Sequence, residues 1–244
     1  MSASRQRLLP RCAALIGALL GVQPLAQASD DDRAAAASQP ASASPTANVA
    51  RGRALAAACA ACHGIDGNAT AEAFPKLAGQ HADYLAQQLA AFKAAAAPAA
   101  ARGHDPAAGT TRPPASARVS PVMSAQAAPL SARDMHDLGA YYAAQPLRPA
   151  YATDAAAAAR GARIWRGGIA ARRVPACSGC HGAAGAGLPP QYPRLAGQWA
   201  GYLREQLAAY ARGARGAATP MREIASALDE RQIRDVAEFA SGLR

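Results

Sequence analysis

The chain has 244 residues, 26 of them Lys or Arg against 16 Asp or Glu, for a formal net charge of +10. Half of it is hydrophobic (51%), but that share is mostly alanine and aromatics make up only 5%, which favours helices over strands. The basic excess suits an acidic protein partner or anionic lipid, or simply a solvated helical surface, and no motif supports nucleic-acid binding.

Residues 1–28 read as an export signal peptide: Arg5, Arg7 and Arg11 precede an apolar stretch, "AALIGALLGV", and Ala26-Gln27-Ala28 gives an A-x-A cleavage site. The apolar core is shorter than the roughly 20 residues a bilayer span needs, so retention as an anchor is the alternative to cleavage. Cleavage would remove Cys12 and leave four cysteines. Residues 29–48 are polar, contain proline and lack an apolar period, the pattern of a flexible tail.

The rest of the chain says one thing twice. "CAACHGIDGNATAEAFPKLAGQ" (59–80) returns as "CSGCHGAAGAGLPPQYPRLAGQ" (177–198), with His63 answered by His181 and Pro75 by Pro193. The stretches after them, 81–93 and 199–211, share Tyr, Leu and aromatic positions at helical spacing. The copies then diverge: a long Ala-, Pro- and Gly-rich loop over 94–122 faces a short "RGARGAATP". Register returns at Met123 and Met221, each followed by a leucine and a final helix with Ser131 or Asp229 as N-cap. The reading is an all-α protein of two units, 49–146 and 154–244, joined by a linker that Pro146 and Pro149 stiffen. Each unit is small for a core of its own.

Cys-x-x-Cys-His is the attachment signature of c-type haem. Two thiols about one helical turn apart reach two vinyl groups, and the adjacent imidazole reaches the iron. Cys59 and Cys62, and likewise Cys177 and Cys180, would each hold one haem covalently, with His63 and His181 as iron ligands. A zinc site wants four ligands, more than each cluster offers. A thioredoxin-like pair wants a strand–helix context.

With these motifs, the twin "FPKLAGQ" and "YPRLAGQ" segments, "IWRGG" with "VPACSGCHG", and "LGAYYAAQ", the chain from residue 48 onward resembles the dihaem, periplasmic branch of the class I cytochromes c. The resemblance implies two tandem class I domains, each wrapped around a covalent haem, so two haem c groups in all. It implies that the carbonyls of Pro75 and Pro193 orient the ligand histidines, and that Met123 and Met221 are the sixth ligands. His104, in the long loop, is the rival to Met123. His81 stands at the repeat position of Trp199, His136 falls on an exposed helical register, and Met135 reads as core. The resemblance also implies that Gly52 packs against Tyr141 or Tyr142, and Gly161 against Phe239.

A His/Met iron has no open coordination position, which favours electron transfer over oxygen or peroxide chemistry. The expected function is therefore an electron carrier and not an enzyme, and the resemblance implies a periplasmic one, taking single electrons from a quinol-oxidising complex to a terminal oxidase. Peripheral membrane association would be compatible with it. The alternatives are the cytochrome subunit of a periplasmic dehydrogenase or oxidase complex, and a dihaem peroxidase.

Overall fold

The computed structural model describes residues 46–96, 104–105, 110–111, 118–216 and 219–244. The leader and most of the proposed tail lie outside the described residues.

The first half begins where Asn48 accepts a hydrogen bond from the Arg51 amide and caps α1, Val49–Ala56. A 3-10 turn, Ala57–Cys59, runs on into α2, Ala60–His63. Gly64, at φ 75°, stops the helix directly after the histidine. Helix α3, Ala82–Ala96, follows the "LAGQ" segment. Then come α4, Pro121–Ala127, and α5, Ala132–Ala143, which a Ser131/Asp134 capping box starts. Within the long loop, the backbone of His104–Asp105 pairs antiparallel with Thr110–Thr111. The loop is shorter than the sequence suggests, since α3 runs into it to Ala96 and α4 begins at Pro121.

The second half repeats the order. Asp154 caps α6, Ala155–Gly167. Helices α7, Ser178–His181, and α8, Ala200–Ala211, follow. Then come α9, Pro220–Ser226, and α10, Glu230–Gly242, which an Asp229/Gln232 capping box starts. Both caps of the final helices fall where the sequence places them. The short helices α4 and α9 do not register in the sequence, because one to two turns are too brief to show a period. A proline at the start of each presets φ for the first turn.

One crossing organises each half. A Cβ on Gly52 would sit 2.0 Å from the Asp137 carbonyl oxygen and 2.9 Å from Tyr141 Cβ. On Gly161 it would sit 2.0 Å from the Asp235 carbonyl oxygen and 2.9 Å from Phe239 Cβ. Only glycine lets α1 meet α5, and α6 meet α10, so closely. The crossing is locked by charge as well: Arg51 pairs with Asp137, and Arg160 holds Asp235 with two nitrogens, at 2.8 and 2.7 Å. Around the crossings lie two separate apolar clusters. One contains Ala56, Leu85, Leu138, Tyr141 and Tyr142, and the other Ile164, Trp165, Leu203, Val236, Ala237 and Ala240. Among the described residues, no helix is long and apolar enough to cross a membrane.

Candidate functional site: two Cys-x-x-Cys-His turns

In each half a one-turn helix carries the second cysteine and ends on the histidine, which is buried in both copies. His63 Nδ1 lies 3.0 Å from the Pro75 carbonyl oxygen, and His181 Nδ1 lies 3.1 Å from that of Pro193. A carbonyl only accepts, so Nδ1 carries the proton in each ring and Nε2 keeps its lone pair for another partner. Burial holds both imidazoles below the ordinary histidine pKa, against the hydrogen bond to proline, and the Arg118 charge adds to the lowering at His63. Both rings are therefore neutral at neutral pH, the form that binds a metal. Phe74 and Tyr192, one repeat apart, approach their histidines edge-on at centroid distances of 6.2 and 6.0 Å.

The four motif cysteines form no disulfide with one another. Burial raises the Cys59 thiol and pushes Cys177 up to about 11, so neither is the low-pKa thiolate of a redox-active pair. The donor set fits a haem. Two thiols stand beside a neutral imidazole, and apolar side chains that a macrocycle would cover, among them Phe74, Val119, Val122, Leu188 and Tyr192, are left exposed on the flanking segments. Met123 and Met221 are half-buried at the starts of α4 and α9, which pack on α3 and α8. Met135 is 4% exposed in the core and His136 is exposed, as the helical register predicts. The side chain of His104 lies outside the described residues.

The structure adds a set of residues to which the sequence reading gave no role. The glutamine ending each "LAGQ" crosses into the other half and treats its backbone as a peptide neighbour would. Gln80 donates to the Arg194 carbonyl at 2.9 Å and accepts from the Arg194 amide at 3.0 Å. Gln198 does the same to Lys76, at 2.9 Å both ways. Lys76 and Arg194 are repeat partners, so the contact is self-complementary, as in a twofold dimer. Trp199 extends it, donating to the Ala69 carbonyl at 3.2 Å beneath the Lys76 ammonium, which lies 4.4 Å from the ring centre.

Further along the same interface two arginines face each other. Arg118 donates to Gln88, Tyr202 and Gln206, at 3.1, 2.7 and 2.7 Å. Arg215, 6% exposed, donates to Gln206, Tyr84 and Gln88, at 2.7, 2.5 and 3.1 Å. The acceptors are again repeat partners, Tyr84 with Tyr202 and Gln88 with Gln206. Among the described residues no carboxylate pairs with either guanidinium. The linker is held from both sides. Asn68 bonds the Pro146 carbonyl and the Arg148 amide, the Ala150 amide donates to the Gly197 carbonyl, and Arg244 reaches the Ala150 carbonyl.

Two helical units of one plan, each with a Cys-x-x-Cys-His turn and an imidazole oriented by a carbonyl, define a tandem dihaem c-type cytochrome. The cytochrome c family model matches residues 49–143 and 158–243, and the chain belongs to that family. It is 38% identical to cytochrome c4 of Azotobacter vinelandii over 80% of this chain and 89% of that one. The crystal structure of reduced recombinant cytochrome c4 from Pseudomonas stutzeri superposes with a TM-score of 0.70 at 35% identity, covering 81% of this chain and all of that one. A thiosulfate dehydrogenase electron acceptor from Stutzerimonas stutzeri is 36% identical over 75% of this chain and 78% of its own length. The protein is a dihaem electron-transfer cytochrome, and its cofactors are two covalently bound haem c groups, which the motifs at Cys59/Cys62 and Cys177/Cys180 fit.

Proposed function

We propose that the protein carries single electrons in the periplasm, from a quinol-oxidising complex to a terminal oxidase, passing them internally from one haem to the other. When bound, each haem supplies a one-electron ferric/ferrous couple. The chain would supply the rest: His63 with Met123, and His181 with Met221, would ligate the two irons. Pro75 and Pro193 hold the ring orientation, and the four motif cysteines fix each group covalently. A methionine sixth ligand raises the potential and closes the iron to small molecules, which suits a carrier and not a peroxidase. The observation that carries internal transfer is the reciprocal pairing of Gln80 and Gln198, which holds the halves in one fixed relation and not as beads on a string. Export by the leader and removal of that leader belong to the same reading.

A second reading is favoured by the likeness to a thiosulfate dehydrogenase electron acceptor: the protein would then accept electrons from a periplasmic dehydrogenase. Rapid mixing separates these readings. The purified holoprotein, first shown by haem stain and mass to hold two covalent haems, is mixed with a reduced quinol-oxidising complex or with a reduced dehydrogenase. Faster reduction by the first supports the respiratory route, and faster reduction by the second replaces it. Equilibration between the haems that scales with protein concentration would overturn internal transfer.

A further inference from the structure

The two halves fill the space beside the first motif cysteine from opposite helices. In the second half α6 contributes Trp165, 1% exposed, and α10 contributes the small Ala240. Both lie in one cluster with Cys177 packed against it. In the first half the register set by Gly52 and Gly161 puts Ala56 where Trp165 stands. The register set by Leu130 and Leu228 puts Tyr142 where Ala240 stands. Ala56 and Tyr142 share a cluster with Cys59 packed against it. Large and small have changed places, and the volume is kept.

The polar ends of the two aromatics differ in fate. The Trp165 N–H donates to the Ala183 carbonyl at 3.2 Å. The Tyr142 side chain is 3% exposed, and its hydroxyl meets no oxygen or nitrogen partner; the polar group beside it is the Cys59 thiol. Its ring is wedged: a Cβ on Gly67 would lie 2.7 Å from Tyr142 Cδ1, whereas at the repeat position Gly185 the nearest atom is Leu243 Cδ1 at 2.9 Å. Burial, and then the neighbouring Cys59, raise the phenol pKa, so the hydroxyl keeps its proton and needs an acceptor. A buried donor left unpaired costs about 1–3 kcal/mol. A free thiol beside it carries a proton of its own, but a thioether sulfur carries only lone pairs.

We propose, building on the haem reading above, that Tyr142 is a positioning residue whose hydroxyl donates to the Cys59 thioether, raising the potential of the first haem alone. A donor aimed at a substituent of the macrocycle stabilises the electron-richer ferrous state, as hydrogen bonds around a cofactor generally do. In the second half the corresponding aromatic spends its N–H on the backbone, so that haem receives no such bond.

The test is Tyr142→Phe in the full holoprotein, with each haem followed by redox titration resolved through its own NMR-shifted methyl signals. The first haem should become about three- to fivefold harder to reduce relative to the second, about 30–40 mV at 59 mV per tenfold, with the second unmoved. Equal shifts at both haems, or none, would overturn the proposal. A second variant, Tyr142→Ala with Ala56→Trp, rebuilds the first half on the plan of the second and should give the same one-sided loss; an unchanged first haem there also overturns it. The mass of either variant tells the two readings apart: fewer than two haems would count against the haem reading, and two haems with no shift against the role of Tyr142 alone.

Discussion

Between the anchoring glycine and the first cysteine, the first half has six residues and the second fifteen. In the first half that stretch is continuous helix and 3-10 turn from Val49 to His63. In the second, α6 stops at Gly168, and a small hairpin closes between Ile169 and Val174 before the motif begins. Yet both halves bring the same glycine against the same aspartate carbonyl and the same histidine onto the same proline. What is shared between the halves is contacts and not path length. The chain tolerates an insertion wherever it lies between two fixed contacts and can run along the surface.

The comparison breaks hardest at the glycines. Gly52→Ala and Gly161→Ala each force a methyl into a carbonyl 2.0 Å away, at a cost near the upper end for overpacking, about 3 kcal/mol. Each should lower the melting temperature of its own half, followed by circular dichroism and by the absorbance of the haem in that half. Equal damage to both halves would mean that they fold as one unit.

Next come the glutamines. Gln80→Leu or Gln198→Leu strands a backbone N–H and a carbonyl across the interface, about 2 kcal/mol in each case. Because the contact is self-complementary, the two variants should weaken it alike, which denaturant melts would show. Electron exchange between the haems should slow in both.

Met221→His and Met123→His should each lower the potential of one haem and leave both haems attached, by more than tenfold in the reduction equilibrium, about 59 mV. A titration in which either variant left both potentials in place would remove that methionine from the iron.

The smallest effect is on acid stability. Asp137 is held below the usual carboxylate range by the Asn48 amide and then Arg51, and Asp235 by Arg160. A carboxyl depressed in the folded state contributes above its unfolded pKa, about 3.9, and that contribution fades as pH falls through the folded value. Melting temperatures should therefore be flat in this respect above about pH 5 and drop below about pH 4. Asp137→Asn and Asp235→Asn should each flatten part of that drop.

Much of this was legible in the sequence because it is local. Cys-x-x-Cys-His is one helical turn, the caps at Ser131 and Asp229 sit three residues before their partners, and the Gly52 and Gly161 crossings follow from the resemblance. The role of Gln80 and Gln198 was not read, although both letters stand in the twin "LAGQ". A glutamine says nothing of which backbone it will meet 114 or 122 positions away. Arg118 and Arg215 were hidden for another reason: they lie in the divergent loops, where no repeat offset aligns them. Helices α4 and α9 were too short to show a period. The Tyr142 and Trp165 exchange escaped because each copy, read alone, simply has one aromatic in a core.

The glutamine pairing carries one more consequence. A surface that complements itself needs no second kind of surface, so a lone unit bearing it could bind another lone unit, though only as far as its concentration allowed. Joining two units through a linker of some ten residues replaces that dependence with a fixed local concentration, on the order of millimolar for short tethers. Dilution in a large compartment then leaves the partnership intact, and a contact of modest strength is enough to keep the two centres together.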